Sequence, residues 1–92
     1  MRIIARRTLM AMAAAHGDCV EQVKEWYHVA SRNDWGNLAE VKAVYPGADL
    51  VGDKTVFNIK GNHYRLIVHI NYQARIIFTK HVLTHAEYDR GT

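Results

Sequence analysis

From Leu50 onward, polar and apolar residues alternate with a period of two, and this alternation constrains the fold more than any other feature of the sequence. A period of two belongs to extended backbone, whose side chains point alternately to opposite faces. Strands are expected near 49–52, 54–60, 63–72 and 75–82, separated by Gly52-Asp53, Gly61-Asn62 and Gln73-Ala74. Gly61-Asn62 is a two-residue hairpin signal, because glycine supplies the positive φ that primed turns require.

The first half of the chain has a different period. Arg2-Ile3-Ile4 reads as a short strand, and Thr8 to about Ala15 as a helix ended by His16-Gly17. Asp18 offers an N-cap, with Glu21 completing a capping box, and Val20, Val23, Tyr27 and Ala30 follow at helical spacing over 18–32. Asn37 with Glu40 repeats the signal for a short helix that Pro46-Gly47 terminates. Thr84 to Asp89 reads as a capped helical turn or short helix. Helices first and a sheet second give an α+β class, with N-terminal helices packed on a small antiparallel β-sheet.

Ninety-two residues at 49% hydrophobic are enough for one domain, 1–92, with one modest core. The chain is too short for a dinucleotide-binding unit with a separate substrate domain. A lone cysteine, Cys19, excludes an internal disulfide framework and a cysteine-based zinc module, which fits a reducing, cytoplasmic setting. No apolar run approaches the ~20 residues that span a bilayer, so no membrane partner is expected. Arg2, Arg6 and Arg7 before Leu9–Ala15 imitate a secretory signal, but that stretch is short and holds the first strand and helix. A net charge of +3 with six histidines permits a polyanionic partner without requiring one.

The hairpin register assigns the faces. If both loops have two residues, Lys60 faces His63, Asn58 faces Arg65, Val56 faces Ile67, Ile67 faces Lys80, His69 faces Phe78 and Arg65 faces Val82. One face then carries Phe57, Ile59, Tyr64, Leu66, Val68, Ile70 and Ile77, with Thr79 and His81, as a core. The other carries Asn58, Lys60, His63, Arg65, His69 and Lys80 among Val56, Ile67, Phe78 and Val82. Cations over an apolar floor suit an anionic, base-bearing ligand. An antiparallel sheet also shows a charged face to water without any ligand, so the pattern alone leaves both readings open.

His85 and Tyr88, three apart, share a face of the terminal turn. Histidine exchanges a proton near neutral pH, and tyrosine donates one or stacks on a base. A surface histidine and an anchoring tyrosine have the same spacing. No metal cluster is expected: at ~3.3 Å per residue, His63 and His69 lie about 20 Å apart on an extended strand.

The run Val56-Phe57-Asn58-Ile59-Lys60-Gly61-Asn62-His63-Tyr64-Arg65-Leu66-Ile67-Val68, followed by Thr84-His85-Ala86-Glu87-Tyr88-Asp89, resembles the HigB family of toxins. These are mRNA interferases of the RelE superfamily. The resemblance continues upstream through Ala5–Leu9, Glu25-Trp26-Tyr27, Asp34-Trp35 and Val41–Pro46. It implies a compact α+β fold and cofactor-free, metal-free endoribonuclease cleavage of mRNA on the translating ribosome. It also implies inhibition by a HigA-like helix-turn-helix antitoxin. In that family's pattern the hairpin arginine falls on Arg65, the basic residue of the last strand on Lys80, and the terminal pair on His85 and Tyr88. These four are the expected catalytic residues, with Asn58, Lys60, His63 and His69 as RNA contacts.

Three positions depart from the pattern. His69 stands where relatives often carry arginine, and Lys80-His81 where they often carry arginine and an aromatic. Lysine keeps a point charge but loses the bidentate fork. The rival reading is a non-catalytic RNA- or ribosome-binding module, which would keep the basic face and tolerate loss of His85.

Overall fold

The computed structural model describes residues 1–91. Its elements run β1 (Arg2–Ile4), α1 (Arg6–Ala14), α2 (Val20–Arg32), α3 (Leu38–Val44), β2 (Asp49–Val51), β3 (Lys54–Ile59), β4 (Tyr64–Asn71), β5 (Ile76–Thr84) and α4 (His85–Gly91). The strands form one sheet in the order β1-β5-β4-β3-β2. The α+β class holds, with one refinement. Strands β2 to β5 are antiparallel neighbours, but β1 joins the outer edge of β5 in parallel, Ile3 beside Ile77, so the sheet is mixed. No helix among the described residues is long and apolar enough to cross a membrane.

The core lies between the helices and one sheet face. Leu9 and Ala13 of α1, Val23, Trp26 and Ala30 of α2 and Val41 of α3 close over Phe57, Leu66, Val68 and Ile77, all buried. Trp26 meets Phe57 edge-on at 5.3 Å between ring centroids, an orientation that the charge distribution of aromatic rings favours. The basic-apolar stretch at the N-terminus is therefore part of this core, through Leu9 and Ala13. Cys19 is buried too, and burial pushes its thiol above the usual range, which suppresses the thiolate.

The β3–β4 hairpin has the expected register: Val56 faces Ile67 and Asn58 faces Arg65. Its turn takes positive φ at Gly61 (64°), as glycine allows, and at Lys60 (53°). The β4–β5 hairpin keeps the expected register near its turn, where His69 faces Phe78, and then slips by one residue. Ile67 faces His81 instead of Lys80, and Arg65 faces Leu83 instead of Val82. The cause is a β-bulge that leaves Lys80 as the extra residue. An unbroken ladder would put His81 in the core and Val82 in water. The bulge reverses this: Val82 is 5% exposed and joins the core, while Lys80 and His81 are both exposed. Burying valine rather than imidazole decides the register.

A second expectation fails at the start of α2. Asp18 does not cap α2: Cys19 occupies the N-cap position and no side chain bonds there. At α3 the expected cap does form, Asn37 accepting from the Glu40 N–H at 3.0 Å.

Candidate active site at the open end of the hairpin

Tyr64 and Arg65 open β4 and, as chain neighbours, point to opposite faces of the sheet. Tyr64 turns toward the helices. Its hydroxyl donates to the Asp18 carboxylate, whose other oxygen accepts from Lys60 Nζ at 2.9 Å. The Tyr64 hydrogen bond and the Lys60 ammonium hold the Asp18 carboxyl below its usual range. The same hydrogen bond, with burial and the Asp18 charge, pushes the Tyr64 hydroxyl up to about 12. Lys60 was expected beside Arg65 on the polar face. Its positive φ breaks the alternation, and its ammonium is instead committed to Asp18.

Arg65 turns outward, yet only 9% of it is exposed. Its Nη1 donates to the Asn62 carbonyl at 3.2 Å and to the Tyr64 carbonyl at 3.3 Å. Its Nη2 donates to Asn62 Oδ1 at 3.0 Å and meets His85 Nδ1 at 2.8 Å. The guanidinium carbon lies 5.8 Å from the centroid of the Tyr88 ring, within cation–π range.

Helix α4 delivers the other side chains. A capping box starts it: the Thr84 N–H donates to Glu87 Oε1 at 2.8 Å, and the Glu87 N–H donates to Thr84 Oγ1 at 3.0 Å. The Thr84 N–H keeps the Glu87 carboxyl below its usual range. The His85 N–H also donates to the His63 carbonyl at 2.9 Å, which ties the helix to the hairpin turn. With its first turn fixed, α4 presents His85, Tyr88 and Asp89 at i, i+3 and i+4 on one face. His85 Nε2 lies 3.0 Å from Asp89 Oδ2.

The structure thus brings together three of the four expected catalytic residues, Arg65, His85 and Tyr88. Lys80 sits on the same sheet face at the bulge, its ammonium 5.7 Å from the Phe78 ring centroid. Asn58 lies across from Arg65, its amide donating to the Gly47 carbonyl at 3.5 Å. His63 is exposed in the turn. His69 stands apart, four residues along β4 and so about 13 Å away. There its Nδ1 donates to the Asp53 carbonyl at 3.0 Å, and its ring faces Phe78 at 6.2 Å. The expectation that His81 is a core histidine is corrected by the bulge, which places it on the exposed face. Two contributors escaped the sequence reading. Asn62 was read only as a turn residue, although it accepts twice from Arg65. Asp89 was legible, since it stands four residues beyond His85 on an expected helix.

The arrangement places a buried guanidinium with multiple donors against an imidazole and a phenol, on a face that also carries a lysine. Such a set can hold an anion, stabilise charge on it and move a proton beside it. A small α+β domain with this centre at one end of its sheet fits the RelE-like class of toxins. The chain belongs to the HigB toxin family, the RelE-like toxic component of a toxin–antitoxin system, whose family model matches residues 19–91. It is 27% identical over 95 residues to the mRNA interferase HigB of Escherichia coli O6:H1, an alignment covering 100% of this chain and 92% of that relative. The protein is accordingly the toxin of a toxin–antitoxin module, and an antitoxin is its partner.

Proposed function

We propose that this toxin is an endoribonuclease that cleaves mRNA in the cytoplasm, on the translating ribosome, with side chains alone as its catalytic groups. The observation that carries the reading is the 2.8 Å contact between Arg65 and His85 beside the Tyr88 ring. RNA carries its own nucleophile, the 2′-hydroxyl, so the enzyme needs a proton acceptor, a proton donor and cations for the phosphate. Arg65 and Lys80 hold the scissile phosphate and stabilise the charge that builds on its oxygens. His85 moves the proton and Tyr88 supplies one to the leaving oxygen or stacks on a base. Asn58, His63 and His69 contact the flanking RNA. Lys60, bound to Asp18, supports the turn that carries Asn62. A HigA-like helix-turn-helix protein is the antitoxin in this reading.

The relative's name, mRNA interferase, supports the activity, and the placement of cations on the sheet face supports an RNA substrate. The test is primer extension on cellular mRNA after brief expression. New 5′ ends with the wild type, absent in Arg65→Ala and His85→Ala, are expected. Growth arrest and RNA binding without new ends would identify a non-catalytic binding module instead.

A further inference from the structure

His85 is held at both ring nitrogens. Its Nδ1 meets Arg65 Nη2 at 2.8 Å, and its Nε2 meets Asp89 Oδ2 at 3.0 Å. A guanidinium only donates, so Nδ1 accepts and the imidazole proton sits on Nε2, directed at the Asp89 carboxylate. One nitrogen is thereby prepared as a proton acceptor, and its lone pair is covered.

Resting on the endoribonuclease reading above, we infer that Asp89 is a positioning residue that fixes the His85 tautomer with Nδ1 as proton acceptor. Arg65 masks that lone pair until an RNA phosphate draws the guanidinium away. A phosphate displaces imidazole readily, because it offers an anionic, bidentate acceptor where the ring offers a single neutral one. The Asn62 contacts keep the guanidinium at the mouth of the site during the exchange. The 2′-hydroxyl proton then passes to Nδ1, the 2′-oxygen bonds to phosphorus, and the bond from phosphorus to the 5′-oxygen breaks. The 5′-oxygen takes the Tyr88 hydroxyl proton, and the product keeps a 2′,3′-cyclic phosphate. The imidazolium retains its Nε2–H on Asp89, whose charge offsets the new positive one. Substrate capture and base activation are one event, so a toxin without RNA holds its base covered.

The inference is tested by long-range proton–nitrogen NMR on the full chain, which reads the imidazole tautomer without any RNA. The wild type is expected to show the Nε2–H form, and Asp89→Ala a mixture, with Asp89→Asn retaining the form through its amide oxygen. A 2′-deoxy-substituted RNA oligonucleotide, which binds but cannot react, is expected to perturb the His85 Nδ1 resonance. Single-turnover cleavage by Asp89→Ala is expected to fall about 100-fold, the lower range of a positioned proton transfer, with the dissociation constant for RNA unchanged. An Nδ1–H tautomer in the wild type, or cleavage by Asp89→Ala at the wild-type rate, overturns the inference. The tautomer reading is independent of turnover. A wild type that shows the Nε2–H form but cuts no RNA overturns the endoribonuclease reading and leaves the role of Asp89 standing.

Discussion

Tyr64 and Arg65 are adjacent in the chain, yet each anchors a polar cluster of opposite character. On the helix side, the Asp18 carboxylate is satisfied by a phenol and an ammonium, and the charges nearly cancel. On the outer side, Arg65 donates to the His85 ring and to amide oxygens, and the nearest carboxylate of the cluster, Asp89, lies beyond the ring. The first arrangement closes the gap between the α1–α2 loop and the hairpin turn. The second holds a cation in defined geometry and reserves its charge for something else. A cation that meets its carboxylate directly stabilises a fold, whereas one separated from its carboxylate by an intervening ring is prepared to bind.

Four experiments test that contrast. The largest effect is expected from Arg65→Ala, which should lower RNA cleavage by about 10²–10³-fold, the usual loss when a charge-stabilising donor is removed. Arg65→Lys should recover part of it, since the charge returns without the fork. If Asp18→Ala reduces cleavage more than Arg65→Ala does, the division of roles is wrong.

The helix-side cluster should report itself in pH-dependent stability. The Tyr64 hydroxyl is raised from 10.0 to about 12, so its contribution is intact below pH 10 and disappears as pH climbs to about 12. Asp18 has the reverse sign: its lowered pKa gives a contribution present above the ordinary carboxylate range and lost as pH falls through the folded value. Melting temperatures across both windows should fall more steeply for the wild type than for Tyr64→Phe. Parallel curves would show that the cluster is not a stabilising element.

Thr84→Ala should cost about 1 kcal/mol by removing the cap of α4, measured by urea denaturation. Cleavage should drop with it, because the same cap orients His85; unchanged cleavage would mean that the His63 carbonyl alone suffices. Smallest, Lys80→Gln should leave folding intact and reduce the salt dependence of RNA binding by about 0.7 in log–log slope, one phosphate contact on a single strand. An unchanged slope would remove Lys80 from the RNA-facing set.

How much of this could be read in the sequence depended on the range of each interaction. The helices at 20–32 and 38–44, the first hairpin and the capped last helix follow from local periodicity and turn chemistry, and they brought Asn58 to Arg65 and His85 to Tyr88. The bulge escaped because alternation persists on either side of it. Its trace was a parity change: Ile77 and Val82, both buried, stand an odd number apart around the polar pair Lys80-His81. Asp18 escaped for another reason. Its local signal, a carboxylate with Glu21 three residues on, is that of a helix cap, and nothing nearby marks a partner 46 residues downstream. The contact that brings Arg65 to His85 spans 20 residues and depends on the same closing of the sheet.

The parallel pairing of β1 with β5 has a consequence for how such a chain is made. Strand β1 finds its sheet neighbour some 74 residues later in the chain, in the strand just before α4. Pairings between such distant segments form late, since the intervening loop has to close first. Until β5 emerges, β1 has no edge to join; until α4 follows, Arg65 has no imidazole beside it. A growing chain therefore carries an unassembled centre until α4 has followed β5.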